Sequence, residues 1–592
     1  MKIIASTITI TITITTLILI LSRTAMASGV AAHAPNNTPS AGGLSNQLNQ
    51  DTPTSHPLPN EGFVSPFQFS DTRATSTTTK GTQTSERLLI TRVIFKQDAS
   101  NQGWENVPLY KLEKELEPLI GKALNIDEIG HLAEVASQLL QRQGMILARV
   151  VLPPQKVVNG TLTLLVLPGR YDTSSIRGHG ALQESFVRSF AENAFPIGKI
   201  ILKDDLDRAA LLLSEIPGTE PSVKLQKGEK PGDIQPVIDI LTTERGRAYI
   251  GMDNYGDQLT GREQLLAGGR INNIAGRGDQ LKFDMKYSKF GDGVVNGTLD
   301  YSLLAGNLRM GASYSRLDYS LAYWNQQVSG YSQDFGIYTT WPLMRKLQTR
   351  VDLRLDAGQK YATDYYPSFD FFDDGKASRR RINTLRLSGY GSSATTKGGV
   401  SMFSLSATLG ETNYLTEMAQ WLSFSDISEK EGQFSKLNFS IGHLQDVTNN
   451  WFIYFNLNGQ RAFNDLDSAE KFIMGGPTAV RAYEVSEGSV DSGANATFEV
   501  RKKWVLPSSA LFGVAPNVTL GSFYDHAVGE YFQRSSHLMS ENRVNMSGAG
   551  IFLSGDIRNN TSVTLTAARR TGDSLSMDSD KNKFWLTFNK QF

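Results

Sequence analysis

From about Ala248 to the end of the chain, apolar and polar residues alternate with a period of two. In Leu281-Lys282-Phe283-Asp284-Met285-Lys286-Tyr287 the alternation is unbroken. It recurs in Leu308, Met310, Ala312 and Tyr314 against Arg309, Gly311, Ser313 and Ser315, and in Val351, Leu353 and Leu355 against Asp352, Arg354 and Asp356. Successive side chains of a strand point to opposite faces, so each segment predicts a strand with one apolar and one charged face. A water-soluble sandwich also alternates, but its core side is rarely so poor in Val and Ile. Here the polar face carries both signs of charge, as the lining of a water-filled lumen would. About sixteen such segments follow one another, from starts near 248, 263 and 278 to starts near 543, 562 and 584. Strands of about 9–12 residues suit a tilted bilayer crossing. Connections alternate short (Ala305-Gly306, Asp446–Asn449) and long (Ala362–Arg380, Thr412–Gln433, Asn464–Val490, Gly529–Asn542), the asymmetry of periplasmic turns and outer loops. An even strand number returns the C-terminus to the periplasmic side. The final segment, Phe584 to Phe592, ends on an aromatic, a usual terminus for a strand handed to the barrel-assembly machinery. The predicted architecture over 247–592 is a transmembrane β-barrel of about 16 antiparallel strands.

Upstream the period changes to that of helices. Between Leu88 and Val166, a strand through Ile90, Val93 and Phe95 precedes helices at Leu109 to Ile120 and Ile126 to Arg142. Gly144 stops the second helix, and strands follow at Ala148–Leu152 and Thr161–Val166. Tyr171 to Glu244 repeats the order. A strand at Thr173–Gly178 leads to helices at Gln183–Ala191 and Lys203–Ile216, then strands at Ser222–Gln226 and Ile234–Thr242. The repeated β-α-α-β-β order predicts two α+β modules, 88–169 and 170–246; the alternative is a single α+β domain. An exposed sheet edge beside a helix is a surface for peptide binding by strand addition.

Residues 1–27 run from Lys2 through an apolar, Thr-rich stretch to Ala25-Met26-Ala27, the pattern of a cleaved signal peptide, with an uncleaved anchor helix as the alternative. Residues 28–87 are rich in Ser, Thr, Pro, Gly, Asn and Gln, and read as a flexible tether with a short helix fitting Leu44 to Gln50. Across 592 residues, Lys+Arg and Asp+Glu are both 59, so global charge points to no nucleic acid. The chain has no cysteine, which excludes disulfides and thiolate metal sites. A mean hydropathy of −0.27 fits a barrel as well as a soluble protein, because lumen-facing residues offset lipid-facing ones.

One connection departs from a solvated loop. Within 464–490, Gly475-Gly476-Pro477-Thr478-Ala479-Val480-Arg481-Ala482-Tyr483 sets an arginine beside apolar neighbours with few polar residues. Glycine and proline forbid regular pairing here, and a loop so composed is expected to fold back into the barrel. Alternation along Asn517 to Asp525 turns Phe523 and Asp525 to the lumen, and along the preceding strand it turns Asn495, Thr497, Glu499 and Arg501 the same way. Arg481 is expected to meet Asp525, with Glu499 sharing the guanidinium, whose planar fork can bond two oxygens at once.

The order of signal peptide, tether, two modules and barrel resembles the TpsB transporters of two-partner secretion, the haemolysin secretion/activation family of the BamA superfamily, whose modules are POTRA domains. Val480-Arg481-Ala482-Tyr483 looks like the family's V-R-G-Y loop motif, with alanine in place of glycine. Phe523-Tyr524-Asp525-His526-Ala527 looks like its Phe-x-Asp-x-Gly strand motif, again with alanine for the last glycine. Leu206 to Gly228, with Ile216-Pro217-Gly218, is similar to its second POTRA domain. The resemblance implies an outer-membrane transporter that captures one large, β-rich TpsA-type protein unfolded in the periplasm and exports it through the barrel. Its other partners are outer-membrane lipid and, during biogenesis, the assembly machinery. It also implies an N-terminal plug helix, which residues 28–87 do not place, and no cofactor.

The rival readings are an assembly or insertase factor of the same superfamily, a nutrient receptor or porin, and an enzyme. A plugged nutrient receptor needs about 22 strands, and a porin would not need the modules. Motifs for a phosphate loop, a serine nucleophile elbow and a zinc protease are all missing, and the seven histidines are scattered. No catalytic residue and no metal site is therefore expected.

Overall fold

The computed structural model describes residues 40–41, 44–46, 87–97, 107–288, 293–323, 326–366, 377–417, 419, 430–485, 487–507, 516–534, 542–557, 560–575 and 580–592. The expected signal peptide and most of the tether lie outside them. Sixteen antiparallel strands, from Gly246–Asp253 to Asn582–Gln591, form a closed barrel in which each strand pairs with its sequence neighbours. The first and last strands complete the ring over Tyr249↔Gln591 to Asp253↔Thr587. Among the described residues no helix is long and apolar enough to cross a membrane; the crossing belongs to the strands. The turn at Thr448 to Trp451 is made by Asn449 and Asn450 at φ 50° and 63°, a left-handed pair that matches the twist of a tight hairpin.

Nine strands exceed the expected length. Ser492–Val505, Asn517–Glu530 and Arg543–Ile557 do so at 14 or 15 residues. The six from Leu308–Tyr323 to Gly432–Thr448 run 16 to 21 residues. The reason is visible in Leu308–Tyr323, where the alternation inverts. Its outward positions are Leu308, Met310 and Tyr314, all exposed to lipid, and then Arg316 and Asp318, which pair in the open. Its inward positions change from Arg309, Ser313 and Ser315 to the buried Leu317, Tyr319 and Leu321. The bilayer therefore ends near Tyr314, at the level of an aromatic girdle. Above it the wall continues in water around a packed apolar centre.

That centre includes a piece of the tether. Ala41 and Leu44 to Asn46 are helical, with Leu44 N–H donating to Ser40 O (2.9 Å). Ala41 and Leu44 are buried against Leu317, Tyr319, Leu321, Val328 and Ala362 of the wall. The flexible-tether reading does not hold for these residues. Ala41 and Leu44 lie three apart, so one turn suffices to present both to the wall.

In the first module, Arg92–Gln97 lies parallel to Thr161–Leu167, which pairs antiparallel with Arg149–Val151. Helices α1 (Leu109–Leu116) and α2 (Ile126–Arg142) cover the sheet through Leu112, Leu116, Ile129, Leu132 and Leu140. α1 is shorter than the spacing predicts, because Pro118 forces a 3-10 turn at Glu117–Leu119. α2 starts in a capping box, with the Asn125 side chain and Glu128 bonding each other's backbone N–H. In the second module Asp233–Thr242 is central, with Thr219–Lys227 antiparallel to it and Arg170–Tyr171 and Ser175–Gly178 parallel. Helices α3 (Glu184–Ala194) and α4 (Lys203–Ser214) pack on it through Val187, Phe190, Leu206 and Leu213.

The second module is bonded to the rim of the barrel. Gln183 N–H donates to Gly276 O (2.8 Å), and Asn273 Nδ2 donates to Pro217 O (2.6 Å). Arg208 of α4 donates to Pro342 O (2.7 Å), and Arg345 binds Glu215 (2.7 Å) and Asp352 (2.6 Å).

Candidate functional site

The loop between Trp451–Ala462 and Ser492–Val505 folds back on itself and into the barrel. Phe472–Ile473 pairs with Ser489–Val490 to make a short hairpin stem. Gly476 turns the chain at φ 108°, and Val480 N–H returns to Met474 O (2.9 Å). This compact knot presents Phe472, Met474, Val480, Ala482 and Tyr483 to Phe523, Ala527, Val544, Met546 and Ala568 of the wall.

At its tip, Arg481 engages three groups. Nη2 and Nε donate to Oδ1 and Oδ2 of Asp525 at 2.7 and 2.9 Å, a bidentate pair. Nη1 lies 2.8 Å from Glu499 Oε1. The Arg481 backbone N–H also donates to Asp525 Oδ2 (3.1 Å), so the carboxylate fixes the main chain as well as the side chain. The guanidinium carbon stacks 3.4 Å from the centre of the Phe523 ring. Thr497 Oγ1 donates to Asp525 (3.0 Å), and Arg501 Nε to Glu499 Oε2 (2.7 Å). Burial acts to lower the Arg481 pKa, but the bonds and charges of Asp525 and Glu499 outweigh it and hold the group above its ordinary value. Asp525 is fully buried.

Every candidate residue from the sequence lies in this one region. Val480, Ala482 and Tyr483 are buried with the loop, and Tyr483 OH donates to Asp573 O (2.8 Å). Ala482 is not among the residues with positive φ; the left-handed step falls at Gly476 instead. A glycine of the wall makes room for the Phe523 ring on which the guanidinium stacks. A Cβ on Gly550 would come 2.5 Å from the Phe523 ring. Leu520 and Tyr524 are exposed on the lipid side while Phe523 and Asp525 are buried, as a period of two requires.

Sequence reasoning did not find the rest of the network. Asp467, at the start of the loop, binds Arg380 (2.9 Å), which also binds Asp364 (2.6 Å). Asp364 in turn accepts from Ala41 N–H (2.7 Å) and Tyr319 OH (2.7 Å), joining loop, wall and N-terminal turn. Ser40 Oγ meets Ser468 Oγ (2.8 Å), and Asn46 Nδ2 donates to Lys471 O (2.7 Å). Glu470 pairs with Lys436 (2.7 Å) and Lys471 with Asp491 (2.8 Å). The inversion of alternation at Leu317 and the run Arg379-Arg380-Arg381 were signals in the sequence, but neither says which groups meet.

Charged groups so placed hold a loop and a helical turn inside a channel in one geometry, and breaking either set would leave buried charge behind. Among the described residues no cluster of His, Asp and Glu is placed to hold a metal ion.

Comparison with known proteins agrees with this construction. Residues 237–520 match the model for haemolysin secretion/activation proteins ShlB/FhaC/HecB, and residues 97–169 match the ShlB-type POTRA domain. The chain is similar to the heme/hemopexin transporter protein HuxB of Haemophilus influenzae, with 28% identity over 484 residues, 81% of this chain and 83% of that one. It is also similar to the outer membrane transporter CdiB of Dickeya dadantii, with 22% identity over 425 residues, 69% and 72% of the two chains. Among solved structures, CdiB from Escherichia coli shares the fold at a TM-score of 0.71 and 18% identity, covering 94% of this chain and 99% of that one. CdiB from Acinetobacter baumannii does so at 0.63 and 16%, covering 86% and 91%. With a sixteen-stranded barrel in the outer membrane and POTRA modules on its periplasmic side, the chain belongs to the ShlB/FhaC/HecB family of two-partner secretion transporters.

Proposed function

We propose that this transporter captures one secreted partner protein unfolded in the periplasm and passes it outward through its barrel, with the Arg481 loop and the N-terminal turn occupying the lumen at rest. The observation that carries this reading is the loop itself, held inside a closed barrel by the Arg481, Asp525 and Glu499 cluster while a docked module faces the periplasm. Among the described residues, Arg92–Gln97 and Thr219–Lys227 each pair with one strand, so each leaves an edge for an extended chain to join. Main-chain pairing tolerates varied side chains, which suits an unfolded client. Capture would be weak, because an unfolded segment loses conformational entropy when it binds. The first client to test is a haem- or hemopexin-directed secreted protein, by analogy with the HuxB relatives.

The test compares proteins in the culture medium with and without the chain. Export predicts loss of one large secreted protein from the medium and its retention or degradation in the periplasm. An unchanged medium together with a fall in other outer-membrane barrels would overturn the reading in favour of an assembly factor.

A further inference from the structure

The ring of strands has one weak place. Neighbouring strands elsewhere share eight to seventeen paired positions, whereas the first and last share five, Tyr249↔Gln591 to Asp253↔Thr587. Beyond Thr587 towards the outer face, the last strand still pairs with Thr561–Arg570 up to Arg569↔Asn582. On its other side one further backbone bond, Asn254 N–H to Leu586 O (3.2 Å), ends the pairing, and side chains take over. Asn254 bonds the backbone of Phe584 (2.8 Å) and Leu586 (2.7 Å), and Tyr255 sits edge-on to Trp585.

The lumenal loop closes the remainder. Trp585 Nε1 donates to Arg481 O (2.7 Å). Three residues beyond Arg481, Glu484 places one oxygen, Oε1, on two cations: Lys583 of the last strand and Arg262 of the connection after the first strand. Glu484 and Lys583 are both buried, and Glu484 Oε2 has no hydrogen-bond partner. A carboxylate so spent on two cations across one gap lies where the backbone ladder is missing.

We propose that Glu484 is a positioning residue that fastens the first connection and the last strand together through the inward loop, so that the loop's seating and the closure of the barrel's seam are one event. When the loop is seated the upper seam is held. When the loop leaves, the seam keeps the five-position ladder, the Ala248 and Phe592 backbone bonds at its periplasmic end, and the Asn254 and Tyr255 contacts, and its upper part gains freedom to widen. The inference concerns the barrel alone, and its readouts need no client, so it can fail while export stands, and the converse.

The experiment uses full-length protein purified from outer membranes. Glu484→Ala is expected to lose its folded band on heated gels at a lower temperature than wild type and to open more often in planar bilayers. A disulfide across the seam, from Met252→Cys with Phe588→Cys, joins register partners without entering the lumen, and the absence of native cysteine makes it the sole thiol pair. In the Glu484→Ala background the oxidised pair is expected to restore both properties, and reduction to abolish the rescue. If Glu484→Ala yields no folded barrel, Arg262→Gln, whose side chain is partly exposed, is expected to show the same defects in smaller measure with the same rescue. Wild-type behaviour of the variants, or a defect that persists once the disulfide has formed, overturns the proposal.

Discussion

The methyl group of Ala482 occupies the space that Gly548 leaves on the facing strand; a Cβ on Gly548 would lie 2.4 Å from it. The loop tip and the wall are thus matched in size at one position, independently of the charged cluster. Gly548→Ala is expected to overpack the contact by about 1–3 kcal/mol and to unseat the tip while the strand keeps its pairing. The readout is channel conductance, which should rise and become noisier. Ala482→Gly added to it should recover most of the wild-type trace. Absence of any recovery in the double variant would show that the two sites are not coupled.

Arg481 provides a sharper perturbation. Its loss leaves Asp525 and Glu499 buried without their shared cation, a cost of about 3–5 kcal/mol when one partner of a buried pair is removed. That cost falls on the docking of the loop, because neither carboxylate takes part in the strand ladder. Arg481→Ala is expected to give a folded, heat-modifiable barrel in which an external protease cuts within 464–490, with secretion largely lost. Arg481→Lys keeps the charge but not the fork, and should fall between the two. A loop as protected in Arg481→Ala as in wild type would sink the idea.

The facing of Asp525 and Glu499 was legible because a period of two leaves no freedom: once Leu520 and Tyr524 face lipid, Phe523 and Asp525 face inward. The modules were legible for the same kind of reason, since helical spacing and turn residues act locally. Arg380 and Asp364 were not. Asp364 meets Ala41 across 323 positions of chain, and no local pattern encodes such a meeting. Strand length was misjudged because a single bilayer crossing was assumed for each strand. The outward change from Tyr314 to Arg316 and Asp318 marks where lipid ends, and the inward change to Leu317 and Tyr319 marks where packing begins. Both stand in the sequence, but they gain meaning only once something is known to fill the centre.

That filling makes its own prediction. Ala41 and Leu44 are held by apolar contact, by the Asp364 carboxylate and by Ser40 against Ser468. Deleting residues 28–79 removes the turn and leaves every barrel strand intact. Single-channel conductance should increase, with the folded barrel still present in the outer membrane. Asp364→Asn, which keeps an acceptor for Ala41 N–H but loses the charge opposite Arg380, should give a smaller increase. Unchanged conductance in the deletion would mean that the turn does not obstruct the pore.

The last prediction concerns the periplasmic rim. Arg345 spends its guanidinium on Glu215, just past the end of α4, and on Asp352 of the barrel wall, while Nη1 donates to Val351 O (3.1 Å). Its side chain is 7% exposed, against 28% for Glu215 and 14% for Asp352. Lys346 and Asp204 also pair nearby, at 3.5 Å, but both are largely exposed, and such a pair contributes little. Arg345 is therefore the main group that fixes α4 to the turn before Thr349–Tyr365, with Arg208 assisting through Pro342 O and Arg350 lying 3.8 Å from Glu215. Arg345→Ala should weaken that junction by about 1.5–3 kcal/mol, the worth of a hydrogen bond to a charged group. Hydrogen exchange is the measurement. Amides of α4 and of the turn at 346–349 should exchange faster, while those of Asp233–Thr242, at the centre of the module's own sheet, should not change. Faster exchange throughout the module would instead mean that Arg345 stabilises its fold. Arg345→Lys can reach one carboxylate but not bridge two, so it should protect α4 only in part.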